Sequence, residues 1–133
     1  MRMKDIVFKE ARIINRGRMI EGDIWVSGDR IERMDPSISL QQQHTEVPVN
    51  GKYLMPGIID DQVHFREPGL EYKATIFSES RAAIAGGITS FMEMPNTRPP
   101  AVTQELLEEK YKIAARSSWA NYSFFMGATN DNL

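Results

Sequence analysis

The chain has 133 residues, 41% of them hydrophobic and 26% charged, with a formal net charge of −2 and no cysteine. That length allows one ordinary domain with a core, the interspersed charge gives no footprint for nucleic acid or a membrane surface, and the lack of cysteine excludes disulfides and thiolate metal sites. No apolar stretch is long enough to span a bilayer and the first residues do not read as an export signal, so the expected compartment is the cytoplasm.

Residues 5–55 read as short strands. Ile6, Val7 and Phe8, then Ile13 and Ile14, are β-branched and aromatic runs, and Asn15-Arg16-Gly17 is a turn signal. From Met19 to Val26 the chain alternates, placing Ile20, Gly22, Ile24 and Val26 on one face and Glu21, Asp23 and Trp25 on the other; Trp25 is expected in a core. Gly28-Asp29 suits a two-residue hairpin leading into residues 30–34. Residues 36–45 are polar, Gln-rich and aperiodic, which predicts a surface loop, and His44 within it reads as an exposed loop histidine. Residues 47–55 return to strand character, with Asn50-Gly51 as a turn between the halves.

At Pro56 the pattern changes to strand–helix alternation, which predicts a parallel sheet. Residues 58–65 form the expected first strand, followed by a loop. A helix from about residue 75 carries Ile76, Phe77, Ser80, Ala83 and Ile84 as a narrow stripe, and Gly86-Gly87 stops it. Residues 88–94 form the second strand and residues 95–102 a loop, in which Pro99-Pro100 bars helix. A second helix over 103–117, with Thr103 as N-cap and Glu105 in its first turn, should bury Leu106, Leu107, Tyr111, Ile113 and Ala114. Residues 121–126 form a third strand, with Phe124 and Phe125 in the core and no fourth strand to pair with.

The chemistry concentrates in residues 56–69, Pro-Gly-Ile-Ile-Asp-Asp-Gln-Val-His-Phe-Arg-Glu-Pro-Gly. Side chains two apart on a strand share a face, so Gln62, His64 and Arg66 should project together at the strand end. An imidazole beside a guanidinium points to a metal or an anion. Asn96 should join them from the end of the next strand, because ligands gather at the C-terminal ends of parallel strands. Each residue also has a plainer reading. His64 could bond backbone or solvent, Arg66 could pair with Glu67 or Glu71, and Asn96 could serve only its turn. Asp60 and Asp61 face opposite ways and are not an acid–base pair; Asp60 orients a neighbour or caps the strand entry. Glu93, alone in an apolar strand, either supports the site from behind or lies at the rim.

These residues carry a resemblance. The stretch from Asp60 through Gly69, with His64, Arg66 and Glu67-Pro68, resembles the first barrel strand of the cyclic amidohydrolases, and dihydroorotases most closely. Gly86-Gly87-Ile88-Thr89 and Met94-Pro95-Asn96-Thr97-Arg98-Pro99-Pro100 resemble the family's second strand and the loop after it. One position departs: Gln62 stands where the family usually has its first metal-binding His. The resemblance implies an α/β fold, the start of a (β/α)8 TIM-type barrel over residues 56–133, preceded by part of a small β-sandwich over residues 1–55. It implies His64 as a metal ligand, Arg66 and Asn96 as the grip on a substrate carboxylate, and zinc, as one or two ions, as cofactor. The bridging carboxylated Lys, the other His ligands and the catalytic Asp belong to later strands, so no catalytic residue is expected within this stretch. The reaction implied is the interconversion of dihydroorotate and N-carbamoyl-aspartate. A homodimer is implied, with aspartate transcarbamoylase as a further partner. Three other readings stand beside it: an inactive dihydroorotase-like subunit bracing a partner enzyme, which Gln62 supports, a cyclic amidohydrolase of allantoinase or hydantoinase type, and an independent small binding domain.

Overall fold

The computed structural model describes residues 5–132. The chain divides into two compact units, Met1–Pro56 and Gly57–Leu133.

The first unit is one sheet of five strands: β1 (Asp5–Asn15), β2 (Arg18–Ser27), β3 (Arg30–Asp35), β4 (Thr45–Pro48) and β5 (Tyr53–Leu54). The order is β3-β2-β1-β4, with β5 also on β1. Two tight turns make the antiparallel part: Arg16 and Gly17, both at positive φ, join β1 to β2, and Gly28-Asp29 joins β2 to β3. The halves of the 47–55 region do not fold back on each other around Asn50-Gly51. β4 and β5 instead lie in succession along β1, both parallel to it. The cause is an irregularity in β1. Its register with β2 slips between Phe8 and Ala11, and Glu10 takes φ 57. The freed carbonyls of Lys9 and Glu10 accept the N–H groups of Val49 and Gly51 at 2.9 and 2.7 Å.

That slip also overturns the strict alternation expected of β2. Asp23 is buried, and Ile20 is exposed. The Asp23 carboxylate accepts from the Lys9 ammonium, from the Glu10 N–H at 2.9 Å and from the Ile38 N–H at 2.8 Å. Ile38 is thereby drawn inward from the segment expected to be a surface loop. Trp25 is only half-buried, because its indole N–H reaches out to Asp5 at 3.0 Å. His44 is not a free loop side chain either: its Nδ1 lies 2.8 Å from the Gln42 carbonyl oxygen and its Nε2 3.5 Å from Glu46. Ala11, Ile13 and Ile24 form the apolar cluster, with Phe8, Val26, Val49 and Leu54 packed on it.

The second unit alternates β6 (Ile58–Val63), α1 (Ile76–Ala85), β7 (Ile88–Glu93), α2 (Gln104–Ser117) and β8 (Asn121–Phe124). The three strands are parallel, in the order β6-β7-β8. This is the expected α/β pattern of adjacent parallel strands joined through helices. Thr75 caps α1 in a reciprocal box with Ser78, and Thr103 caps α2 by accepting the Leu106 N–H. The core is Phe65, Ile76, Phe91, Ala114, Ala120 and Phe124, with Val63, Leu107, Ile113 and Tyr122 around it.

The helix stripes are narrower than their periodicity promised. In α1 only Ile76 and Ser80 are buried, and Phe77 and Ile84 are exposed. Ser80 earns no apolar contact by chance: its hydroxyl accepts the Trp119 N–H at 3.1 Å. In α2 the buried positions are Lys110 and Ala114, whereas Tyr111 sits at the surface with its ring edge-on to Phe124. Phe125, past the end of β8, is exposed rather than in the core. No helix among the described residues is long and apolar enough to cross a membrane.

Candidate functional site at the ends of β6 and β7

β6 stops at Val63, two residues short of the expected end. Its pairing with β7 slips between Asp60 and Val63: three steps along β6 match two along β7. This is a bulge, and Gln62 lies in it, its N–H held at 3.2 Å by the Asp60 carboxylate. Arg66 then adopts φ 71. Gln62, His64 and Arg66 are therefore not three successive members of one strand face. The spacing rule fails because Gln62 sits in a bulge and Arg66 is left-handed.

The loops nevertheless bring three of the four candidate residues together. His64 Nδ1 is 3.1 Å from Asn96 Oδ1, and Arg66 Nη1 donates to the Asn96 carbonyl oxygen at 3.2 Å. An amide oxygen only accepts, so in this contact Nδ1 is the donor, and in a neutral ring of that tautomer Nε2 is the nitrogen with the lone pair. Gln62 is exposed and its side chain joins none of these bonds. The competing uses of Arg66 are closed off. Glu67 accepts the Ile76 N–H at the start of α1 at 2.7 Å, and Glu71 accepts the Gly69 N–H at 2.8 Å. Among the described residues no acid forms an ion pair with the Arg66 guanidinium. The turn around Asn96 does not need the Asn side chain, since Thr97 makes it by bonding Pro95 and Pro99 carbonyls.

The two loops are fastened to each other. Arg98 N–H donates to the Pro68 carbonyl oxygen at 3.0 Å. Gly69, at φ +86, lies so close that a Cβ there would stand 2.0 Å from the Arg98 carbonyl oxygen. Only glycine fits that approach.

Beneath the loops lies a feature that reasoning from sequence missed in part. Glu93 and Lys110 are both fully buried, with Lys110 Nζ 3.0 Å from Glu93 Oε2. The contact has ion-pair distance without hydrogen-bond alignment, which leaves Oε2 without a hydrogen-bond donor. Glu93 Oε1 accepts the Arg66 backbone N–H at 2.8 Å, and Lys110 Nζ donates to the Met94 carbonyl oxygen at 3.0 Å. Lys110 also lies 4.8 Å from the centre of the Phe124 ring. Burial pushes the Glu93 carboxyl above its ordinary value, against the pull of Lys110 and the backbone donors of Arg66 and Phe65. Burial pushes the Lys110 ammonium down, against the attraction of Glu93. The signal was present: Lys110 falls in phase with Leu106, Leu107, Ile113 and Ala114 on the inner face of α2.

The dihydro-orotase-like family model matches residues 51–127. The chain belongs to that family. A dihydroorotase of Halobacterium salinarum is 37% identical over 90% of this chain and 29% of its own length. A dihydroorotase of Anoxybacillus flavithermus is 38% identical over 77% of this chain and 24% of its own length. Among solved structures, the L-hydantoinase (dihydropyrimidinase) of Arthrobacter aurescens superposes with a TM-score of 0.91 at 28% identity, covering 98% of this chain and 29% of that one. The chain thus spans under a third of the length of these relatives, and its fold is that of the β-rich start and first βα units of these barrel enzymes.

Among the described residues no group of three or more His, Cys, Asp or Glu side chains is placed to hold a metal. What this stretch offers a metal is one imidazole nitrogen, His64 Nε2, and the neutral amide of Gln62, a poor donor beside imidazole. These two side chains alone do not make a metal centre.

Proposed function

We propose that this chain is the N-terminal portion of a metal-dependent dihydroorotase, a cyclic amidohydrolase interconverting dihydroorotate and N-carbamoyl-aspartate in pyrimidine biosynthesis. The observation that carries the substrate is the Arg66 guanidinium, which donates to the Asn96 carbonyl beside the Asn96–His64 contact and lacks an acidic partner among the described residues. Its planar fork suits the carboxylate that dihydroorotate bears and a hydantoin or dihydropyrimidine ring lacks. Arg66 and Asn96 would hold that carboxylate and so fix the ring. His64, with Nδ1 bonded to Asn96, would turn Nε2 toward a zinc ion, and the remaining ligands and the catalytic Asp would come from outside these 133 residues. Zinc, when bound, supplies activation of water and polarisation of the ring carbonyl. In hydrolysis, water adds to the ring carbonyl, the C–N bond breaks and the ring nitrogen takes a proton. The proposed compartment is the cytoplasm, and the proposed assembly is a homodimer, with aspartate transcarbamoylase as a further partner.

A second reading has an observation in its favour: the superposition on an L-hydantoinase at TM-score 0.91 supports a hydantoinase-type specificity. Gln62 supports a third, an inactive subunit that braces a partner enzyme. One experiment separates all three. The full-length polypeptide is assayed, with its metal content determined, on dihydroorotate, dihydrouracil and hydantoin. The dihydroorotase reading requires turnover of dihydroorotate above the other two. Preference for a ring without a carboxylate selects the second reading, and no turnover of any ring selects the third. The variant Gln62→His, which restores the family pattern, should bind metal at least as well as the parent.

A further inference from the structure

Glu93 and Lys110 are costly to bury. Two charges taken from water lose their solvation, and apolar residues of similar volume would fill the space as well. Neither residue reaches the site with its own charge. What the pair does have is hydrogen bonds to both of the loops that form the site. Glu93 Oε1 holds the N–H of Arg66, the non-glycine residue in the loop after β6 whose backbone turns left-handed. Lys110 Nζ holds the carbonyl of Met94, two residues before Asn96. A non-glycine residue at positive φ is strained and persists only when its surroundings hold it there. Among the described residues, Glu93 is the side chain that bonds the Arg66 backbone N–H.

We infer that Glu93 and Lys110 are a positioning pair for carboxylate recognition, clamping the backbones of Arg66 and Met94 from below so that the Arg66 guanidinium and Asn96 meet at one point. The inference rests on the carboxylate reading of Arg66. Neither member touches substrate. Glu93 acts through the backbone of Arg66, and Lys110 acts through Met94 and by holding Glu93 in place. The essential element is an acceptor at the Glu93 position, not its charge.

Two paired variants of the full-length polypeptide test this. Glu93→Leu with Lys110→Met removes both charges and the acceptor, leaving no unpaired ion in the core. Glu93→Gln with Lys110→Met also removes both charges but keeps an oxygen for the Arg66 N–H. The first readout is hydrogen exchange at the Arg66 amide, which needs no activity. The second is the split between KM and kcat on dihydroorotate. In the Leu/Met protein, Arg66 amide exchange should accelerate about tenfold or more and KM should rise about tenfold, with kcat within about twofold of the parent. The Gln/Met protein should return Arg66 exchange to the parental rate and recover only part of KM, the remainder following from the lost Lys110 bond to Met94. A Leu/Met protein with parental exchange and KM overturns the inference. So does a Gln/Met protein whose Arg66 amide exchanges as fast as in the Leu/Met one, since the loss would then follow charge or packing, and so does a Gln/Met protein with fully parental KM, since Lys110 would then clamp nothing. Should the Leu/Met protein not fold, the parent alone still decides: its Arg66 amide must exchange slowly for a loop position, and rapid exchange overturns the clamp. A parent that binds no N-carbamoyl-aspartate overturns the carboxylate reading instead, and the exchange result separates that failure from failure of the clamp.

Discussion

Each unit of the chain pairs a lysine with a buried acid, and the two pairs are built on opposite terms. In the sheet unit the Asp23 carboxylate is saturated: it takes the Lys9 ammonium and the N–H groups of Glu10 and Ile38, while Lys9 remains partly exposed. Desolvation works to raise its pKa, but the Lys9 contact and the two backbone donors outweigh it and the net shift is downward. In the parallel unit Glu93 and Lys110 have no exposure at all, one carboxylate oxygen lacks a hydrogen-bond donor, and burial shifts both groups toward neutrality. Asp23 ties a bulge and an inward loop to the sheet on which they lie. Glu93 and Lys110 instead lie under the two loops that carry Arg66 and Asn96, and bond the backbone of each. The first pair fastens its own sheet; the second, on the inference above, is kept for the geometry it imposes on its neighbours.

The sharpest break of that contrast is Lys110→Ala, which leaves Glu93 buried without its counter-ion and should cost about 3–5 kcal/mol in chemical denaturation of the full-length polypeptide. A loss below about 1 kcal/mol would mean the pair is dispensable as an ion pair. Asp23→Ala should cost less, about 2–3 kcal/mol, because Lys9 can regain water although the two backbone donors lose their acceptor.

The pairs should also differ in sign with pH. Asp23 has a folded pKa below its ordinary 3.8, so its contribution is present above that value and is lost as pH falls through the folded pKa. Glu93 has a folded pKa above its ordinary 4.5, so its contribution is present below that value and is lost as pH rises through the folded pKa. Acid titration of stability should therefore flatten in Asp23→Asn below about pH 4, and the same substitution logic at Glu93→Gln should flatten the limb above about pH 4.5. The smallest effect expected is Thr75→Ala, which removes the N-cap of α1, costs about 1 kcal/mol and leaves both pairs alone.

Much of this was legible in the sequence, and the limits have physical causes. Turns written in glycine and asparagine chemistry, at residues 15–17 and 28–29, gave the hairpins of the first sheet, and Thr103 marked its helix start, because these signals act within a few residues. The parallel order β6-β7-β8 followed from strand–helix alternation. Register did not. The slip after Phe8 sent Asp23 inward, and the slip after Asp60 took Gln62 out of step with His64, and neither bulge has a local signature in these residues. His64, Arg66 and Asn96 stand out in the sequence by their chemistry, and loop contacts rather than strand periodicity unite them. A lysine at a core phase reads as surface, and only the fold shows Lys110 3.0 Å from Glu93.

The account depends most on Arg66 as the grip for a carboxylate, and calorimetric binding of two open-chain ligands tests that directly. N-carbamoyl-aspartate carries the carboxylate in question, and N-carbamoyl-β-alanine is the same molecule without it. Replacing Arg66 by Lys keeps the charge and removes the fork. In the full-length polypeptide the parent should prefer N-carbamoyl-aspartate. Arg66→Lys should weaken that ligand by about 1.5–3 kcal/mol, roughly ten- to a hundredfold, while binding of N-carbamoyl-β-alanine stays unchanged. Equal loss for both ligands, or no loss for N-carbamoyl-aspartate, would contradict the assignment.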